Sequence, residues 1–163
     1  MHALMQHPDA YAAMRQSVDD PERFNRAIEE ILRWATPVLH FRRTASEDTL
    51  KDGQPIAKGD KVVLWYVSAN RDEEVFEDPY TFDIERDPND HVAFGAGGVH
   101  FCLGANLARM ELRLIFREIL DRFADMRLAG EPETLRSNFN RGMKHLPVTF
   151  SPGTRVNRVP LSV

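Results

Sequence analysis

Phe94-Gly95-Ala96-Gly97-Gly98-Val99-His100-Phe101-Cys102-Leu103-Gly104 is the densest run of chemically distinctive residues in the chain. Three glycines precede a lone cysteine, a fourth follows two residues later, and helical periodicity resumes near Leu103. Glycine admits backbone conformations and close approaches that a Cβ forbids, so a large flat ligand can lie against such a loop. The start of the following helix offers unpaired N–H groups and a positive dipole end, which together stabilise a thiolate. Three plainer readings compete. An intracellular cysteine is commonly a small buried hydrophobe. Zinc needs a second Cys/His pair that His100-x-Cys102 lacks. A catalytic nucleophile needs a base, and nothing in the sequence places one.

Outward from this loop the composition is ordinary. The chain has 163 residues, 42% hydrophobic and 28% charged, with 21 Lys+Arg against 25 Asp+Glu and a net charge of −4 with His neutral. That usage excludes disordered, collagen-like and disulfide-scaffold classes. One domain is expected, large enough to bury roughly 70% of its unfolded surface. The mild negative balance argues against nucleic acid as a partner. With Cys102 as the only cysteine there is no intramolecular disulfide, which favours a reducing compartment. The longest apolar run, Val62-Val63-Leu64-Trp65-Tyr66-Val67, is too short to span a membrane. The first residues lack the basic and apolar segments of a secretory signal, so the expectation is a soluble cytoplasmic protein.

Turn signals divide the chain. Pro8-Asp9 opens a short helix that runs to Gln16, and Pro21 opens a second that runs to about Trp34, with an apolar stripe of Phe24, Ile28, Ile31 and Ala35. Thr36-Pro37 ends it. Strands are expected at residues 38–41 and 61–67, with turns at Asp52-Gly53 and Lys58-Gly59-Asp60. From Asn70 to Gly98 neither periodicity is present, which marks a functional loop packed by its own side chains. A long helix from about Leu103 to Phe123 is apolar on most sides, as in a helix buried within a larger body. A hairpin is expected around Asn140-Arg141-Gly142, with residues 146–150 as its return strand.

A thiolate at such a loop can be the proximal ligand of a haem iron, where it pushes electron density toward the metal to favour O–O cleavage. The spacing Phe94-Gly95-x-Gly97-x-x-x-x-Cys102-x-Gly104 resembles the bacterial haem-binding signature of the cytochrome P450 family. Glu30-Ile31-Leu32-Arg33 is similar to the E-x-x-R of that family's K helix, and Arg86 lies where a third arginine joins the pair. The run from Ala69-Asn70-Arg71-Asp72 through Phe76, Pro79 and Phe82-Asp83 resembles the family's meander. The resemblance implies a mainly α fold with small β-sheets (α+β), the C-terminal portion of a P450 domain over residues 1–150 with its haem-binding loop at 94–104, followed by a polar tail at 151–163.

It also implies roles. Cys102 would be the axial iron ligand of a haem, with Phe94, Gly95 and Gly104 shaping the binding loop. His100 and Arg43 would meet the haem propionates, and counting forward from Arg33 selects Arg42 in place of Arg43. Arginine suits a carboxylate because its planar fork grips it in two places. Glu30, Arg33 and Arg86 would form a buried network supporting the haem pocket. On the helical wheel alone, Glu30 and Arg33 lie opposite the apolar stripe and form a solvated surface pair. Val38, Leu39, His40, Phe139 and Asn140 would face the substrate. Arg109, Arg113 and Arg117 recur every fourth residue along the long helix, either as a solvated face with acids such as Glu118 nearby or as a docking patch for an acidic electron donor.

Two functions follow. The first is a haem-thiolate monooxygenase that adds one oxygen atom from O2 to an apolar small molecule, with electrons from a ferredoxin-type partner; the wording of residues 41–48 and 104–111 resembles actinobacterial members acting on sterol side chains or methyl-branched lipids. The second is a truncated, non-catalytic fragment. Family members have about 400 residues, and the earlier part would carry the acid-alcohol helix and most of the substrate pocket.

Overall fold

The computed structural model describes residues 1–151. Helices dominate: α1 (His2–Gln6), α2 (Pro8–Gln16), α3 (Pro21–Ala35), α4 (Tyr66–Ala69) and α5 (Ala105–Arg122). The strands are short: β1 (His40–Thr44), β2 (Thr49–Lys51), β3 (Gln54–Ile56), β4 (Lys61–Trp65), β5 (Arg127–Leu128), β6 (Glu133–Thr134), β7 (Met143–His145) and β8 (Val148–Thr149). They form two-stranded antiparallel sheets, β1 with β4, β2 with β3, β5 with β8 and β6 with β7. The architecture is the expected mainly α fold with small sheets. Of the expected polar tail only Ser151 lies within the described residues. Among those residues no helix is long and apolar enough to cross a membrane.

α3 organises the molecule. Asp20 caps its first turn, Oδ1 accepting the N–H groups of Glu22 and Arg23 at 3.1 and 3.2 Å, with Pro21 in the first helical position. Asp20→Ala is expected to cost about 1 kcal/mol, read as a lower urea midpoint at unchanged slope; an unmoved midpoint would show the cap to be idle. The face of α3 that enters the apolar core is Phe24, Ala27, Ile28 and Leu32, packed with Leu4, Met14, Phe82, Ile84, Phe116 and Leu120. Ile31 and Ala35, expected in the stripe, are only partly buried and line an open cavity, and the helix is enclosed on a second side. There Glu30 and Arg33, both 0% exposed, meet residues 70–89. The solvated pair suggested by the helical wheel is therefore corrected: the loop covers that face.

The helix ends at Thr36, whose φ of 38° is left-handed. A β-branched residue is strained there, and its neighbours fix it. Thr36 Oγ1 donates to the Arg33 carbonyl at 2.7 Å and accepts from Asn70 Nδ2 at 3.0 Å. Arg71, read from the sequence only as part of the meander-like run, closes the same end. It donates to the carbonyls of Arg33 and Trp34 at 3.1 and 2.9 Å and sits 4.6 Å over the Trp34 ring. Burial, helped by the neighbouring Arg33 charge, lowers its pKa to about 10.

Residues 70–97 contain no helix or strand and are packed by their own side chains, with Phe76, Phe82 and Ile84 buried. Four expectations shift. The strand expected at 38–41 runs His40–Thr44. The strand expected at 61–67 stops at Trp65, and Tyr66 begins α4. The long helix starts at Ala105, two residues later than expected, because residues 102–104 spend their first bonds on a turn in which the Ala105 N–H donates to the Cys102 carbonyl at 3.2 Å. The expected hairpin with a 146–150 return strand does not form. Pro147 has no N–H to extend the ladder past His145, so Met143–His145 pairs with Glu133–Thr134 and Val148–Thr149 with Arg127–Leu128. The turn residues bond elsewhere: the Arg141 N–H donates to the Pro37 carbonyl at 2.8 Å, and Asn140 bridges Val38.

Candidate haem-thiolate site

The cysteine loop is held from within. The Cys102 N–H donates to the Phe94 carbonyl at 3.0 Å, and the Gly95 N–H donates to the Val92 carbonyl at 2.9 Å. Gly95 has φ +92°, where a side chain would be strained, and an added Cβ would stand 3.7 Å from the Tyr66 hydroxyl. At Gly104 an added Cβ would lie 3.9 Å from the Cys102 sulfur. Cys102 is exposed and without a disulfide, so the plain reading as a buried hydrophobe is set aside. Gly104, two residues further on, is the residue flanking the start of α5.

A cavity of about 550 Å³ opens at this loop. Its walls are Leu32, Pro37, Val38 and Phe41 on one stretch of chain and Ala93, Phe94, His100 and Cys102 on the other, with Tyr66 and Arg43 between. β1 alternates: Phe41 and Arg43 line the cavity, whereas Arg42, on the other face of the strand, does not. The residues fit a haem. The cavity joins one exposed thiol, apolar and aromatic walls for a flat macrocycle, and two nitrogen bases, Arg43 and His100, for carboxylates. Among the described residues no cluster of His, Cys, Asp and Glu could hold a metal ion.

Leu39, Phe139 and Asn140 adjoin this wall without lining the cavity. The Leu39 N–H donates to the Phe139 carbonyl at 2.9 Å, and the Phe139 ring meets Phe41 edge-on at 5.5 Å. His40 packs between Trp65 and Phe139. The sequence reading missed Phe41, Tyr66, Leu32, Pro37 and Ala93. Phe41 was recoverable, since it is two residues before Arg43 and shares its face of the strand.

Glu30, Arg33 and Arg86 come together where α3 meets the segment 70–89. Arg33 grips Glu30 in two places, Nε to Oε2 at 2.7 Å and Nη2 to Oε1 at 2.8 Å, and donates to the carbonyls of Asn70, Pro79 and Thr81. Glu30 also accepts from the Asp83 N–H at 3.0 Å and from Asn89 at 3.1 Å, and Arg86 Nε lies 3.4 Å from it. Arg86 itself donates to the carbonyls of Glu77, Asp78 and Thr81.

The basic edge of α5 meets partners on and just before α3, and Glu118 pairs with Arg122. Arg109 grips Glu29 at 2.7 and 2.8 Å, Arg113 reaches Asn25 at 3.5 Å, and Arg117 meets Asp19 at 2.8 Å. Burial works to raise the Glu29 pKa, but hydrogen bonds from His91 and Arg109 outweigh it and hold it down to about 2. A carboxyl depressed on folding stabilises the fold above its ordinary pKa of 4.5 and loses that contribution as pH falls toward 2. Glu29→Gln should therefore flatten the acid limb of the stability profile below about pH 5; an unchanged limb in a urea titration would contradict it.

A sequence profile of the cytochrome P450 family matches residues 1–143. A methyl-branched lipid omega-hydroxylase of Mycobacterium tuberculosis is 55% identical over 125 residues, 77% of this chain and 29% of that protein. A steroid C26-monooxygenase of Mycolicibacterium smegmatis is 50% identical over 151 residues, 93% of this chain and 34% of that protein. Among solved structures, a Mycobacterium marinum cytochrome P450 in complex with pseudoionone matches at TM-score 0.85 and 47% identity, covering 91% of this chain and 35% of that one. The chain thus spans about a third of the length of its curated relatives. A cysteine loop at an apolar cavity, a buried Glu-Arg pair on α3 and the profile match over residues 1–143 lead to one conclusion: the chain belongs to the cytochrome P450 family.

Proposed function

We propose that this chain forms the thiolate side of a haem monooxygenase that inserts one oxygen atom from O2 into an apolar substrate. The observation that carries the reading is the exposed Cys102 thiol at an apolar-walled cavity that also presents Arg43 and His100. Cys102 holds the iron, Arg43 and His100 hold the propionates, and Phe94 with the flanking Gly95 and Gly104 shapes the loop. Bound there, haem supplies an iron that takes up electrons one at a time and cleaves dioxygen. Glu30, Arg33 and Arg86 keep the loop's support rigid. Val38 faces the substrate directly, and Leu39, Phe139 and Asn140 back that wall. The names of the lipid and steroid hydroxylases that the chain resembles support a sterol side chain or methyl-branched lipid as substrate. Electrons come from a ferredoxin-type donor attracted by Arg113, which meets the neutral Asn25, and the single reduced thiol suits the cytoplasm.

A second reading, a fragment that retains haem weakly or not at all, is favoured by the outer face of α5, where Leu107, Met110, Leu114 and Ile115 are 47–58% exposed. One measurement decides between them. The chain is reconstituted with haem, reduced and exposed to carbon monoxide. A red-shifted, thiolate-type Soret band is expected; loss of haem on gel filtration would sink the monooxygenase reading for this chain.

A further inference from the structure

Phe94 belongs to the cavity wall, yet its ring is also held by α5. The Arg109 guanidinium carbon lies 4.6 Å from the ring centroid. The same guanidinium is fixed by Glu29 of α3 through two parallel hydrogen bonds. His91 completes the arrangement. Its Nδ1 accepts the Ala93 N–H at 3.2 Å, which leaves Nε2 to donate to Glu29 Oε2 at 3.0 Å, and its ring lies 6.3 Å from Phe94. One carboxylate thus joins α3, α5 and the segment leading into the cysteine loop. The chain of contacts continues to the sulfur-bearing residue, because the Phe94 carbonyl accepts the Cys102 N–H at 3.0 Å.

A docking cation should be free to meet its partner. Arg109 is instead committed twice, to an acid in two places and to an aromatic face, and gripping the acid in two places needs the planar fork that lysine lacks. We infer that Arg109 is a positioning residue for the cysteine loop. With Glu29 and His91 it holds Phe94, and through the Phe94 carbonyl it holds the Cys102 backbone. Its consequence at the iron rests on the haem-thiolate reading; its hold on the loop does not.

Arg109→Lys and Glu29→Gln test this in the 163-residue chain. The first readout needs no haem. Amide hydrogen exchange at Cys102 should speed up about tenfold in either variant, since a bidentate charged contact is lost at a partly exposed site. The amides paired between β1 and β4 should not change, which shows that each variant is folded. The second readout is the carbon monoxide spectrum of the haem-loaded chain, in which the thiolate-type share of the Soret band should fall. A docking cation would leave Cys102 exchange unchanged in Arg109→Lys, which keeps the charge, and in Glu29→Gln, which frees it. Exchange unchanged within about twofold in both variants overturns the inference. If the parent chain shows no thiolate-type band while the exchange effect is present, the monooxygenase reading fails and the positioning role stands.

Discussion

Arg33→Met should destabilise the chain by about 3–5 kcal/mol, because it leaves a buried carboxylate without its main partner. Glu30 is fully buried, and with Arg33 gone it keeps only the Asp83 N–H, Asn89 and the more distant Arg86. The carbonyls of Asn70 and Pro79 lose the Arg33 donor at the same time. Against a typical domain stability of about 5–15 kcal/mol this is a large fraction. The check is urea unfolding followed by near-ultraviolet circular dichroism. Arg33→Lys should be intermediate, because a point charge cannot grip the carboxylate twice while reaching three carbonyls. Glu30→Leu combined with Arg33→Met should cost less than the sum of the single changes, since it removes the isolated charge along with its partner. Equal midpoints for Arg33→Met and the parent chain would show that the pair contributes nothing.

Cys102→Ala should have the opposite profile, a complete loss at the site with little effect on the fold. The side chain is exposed, and its backbone bond to Phe94 does not depend on the sulfur. Stability should change by less than about 0.5 kcal/mol, the usual range for a surface substitution. The thiolate-type Soret band of the reduced, carbon monoxide-treated chain should vanish. Retention of that band would remove Cys102 as the ligand and with it the proposed function. Together the two variants separate support from chemistry: Arg33 acts on the fold that carries the loop, and Cys102, in the proposed function, on the iron.

How much of this was legible beforehand differs by residue. The cysteine loop could be read because glycine and cysteine in that order have few structural uses and the spacing is local. Arg43 could be placed only to within one position, since counting along the chain cannot say which side of a strand faces a cavity. With β1 paired to β4, the strand's alternation puts Arg43 in the cavity lining and Arg42 outside it. The hairpin around residues 140–142 was misread because its hydrogen bonds go to Pro37 and Val38, about a hundred positions earlier.

The sequence alone determined what lies along the backbone within a few residues of itself: the glycine-cysteine loop, the capped and proline-started α3, and a long segment with neither helical nor strand period. Such features depend on local sterics and local hydrogen bonds, which the residue types carry with them. The tertiary structure decided everything that depends on which surface is covered. It buried Glu30 and Arg33, which a helical wheel places in water, because the loop at 70–89 returns over that face and its carbonyls need donors. It also committed Arg109 to Glu29 and Phe94 on other elements. Charge and periodicity do not say what will be packed against them, and in this chain that packing holds both the support and the wall of the site.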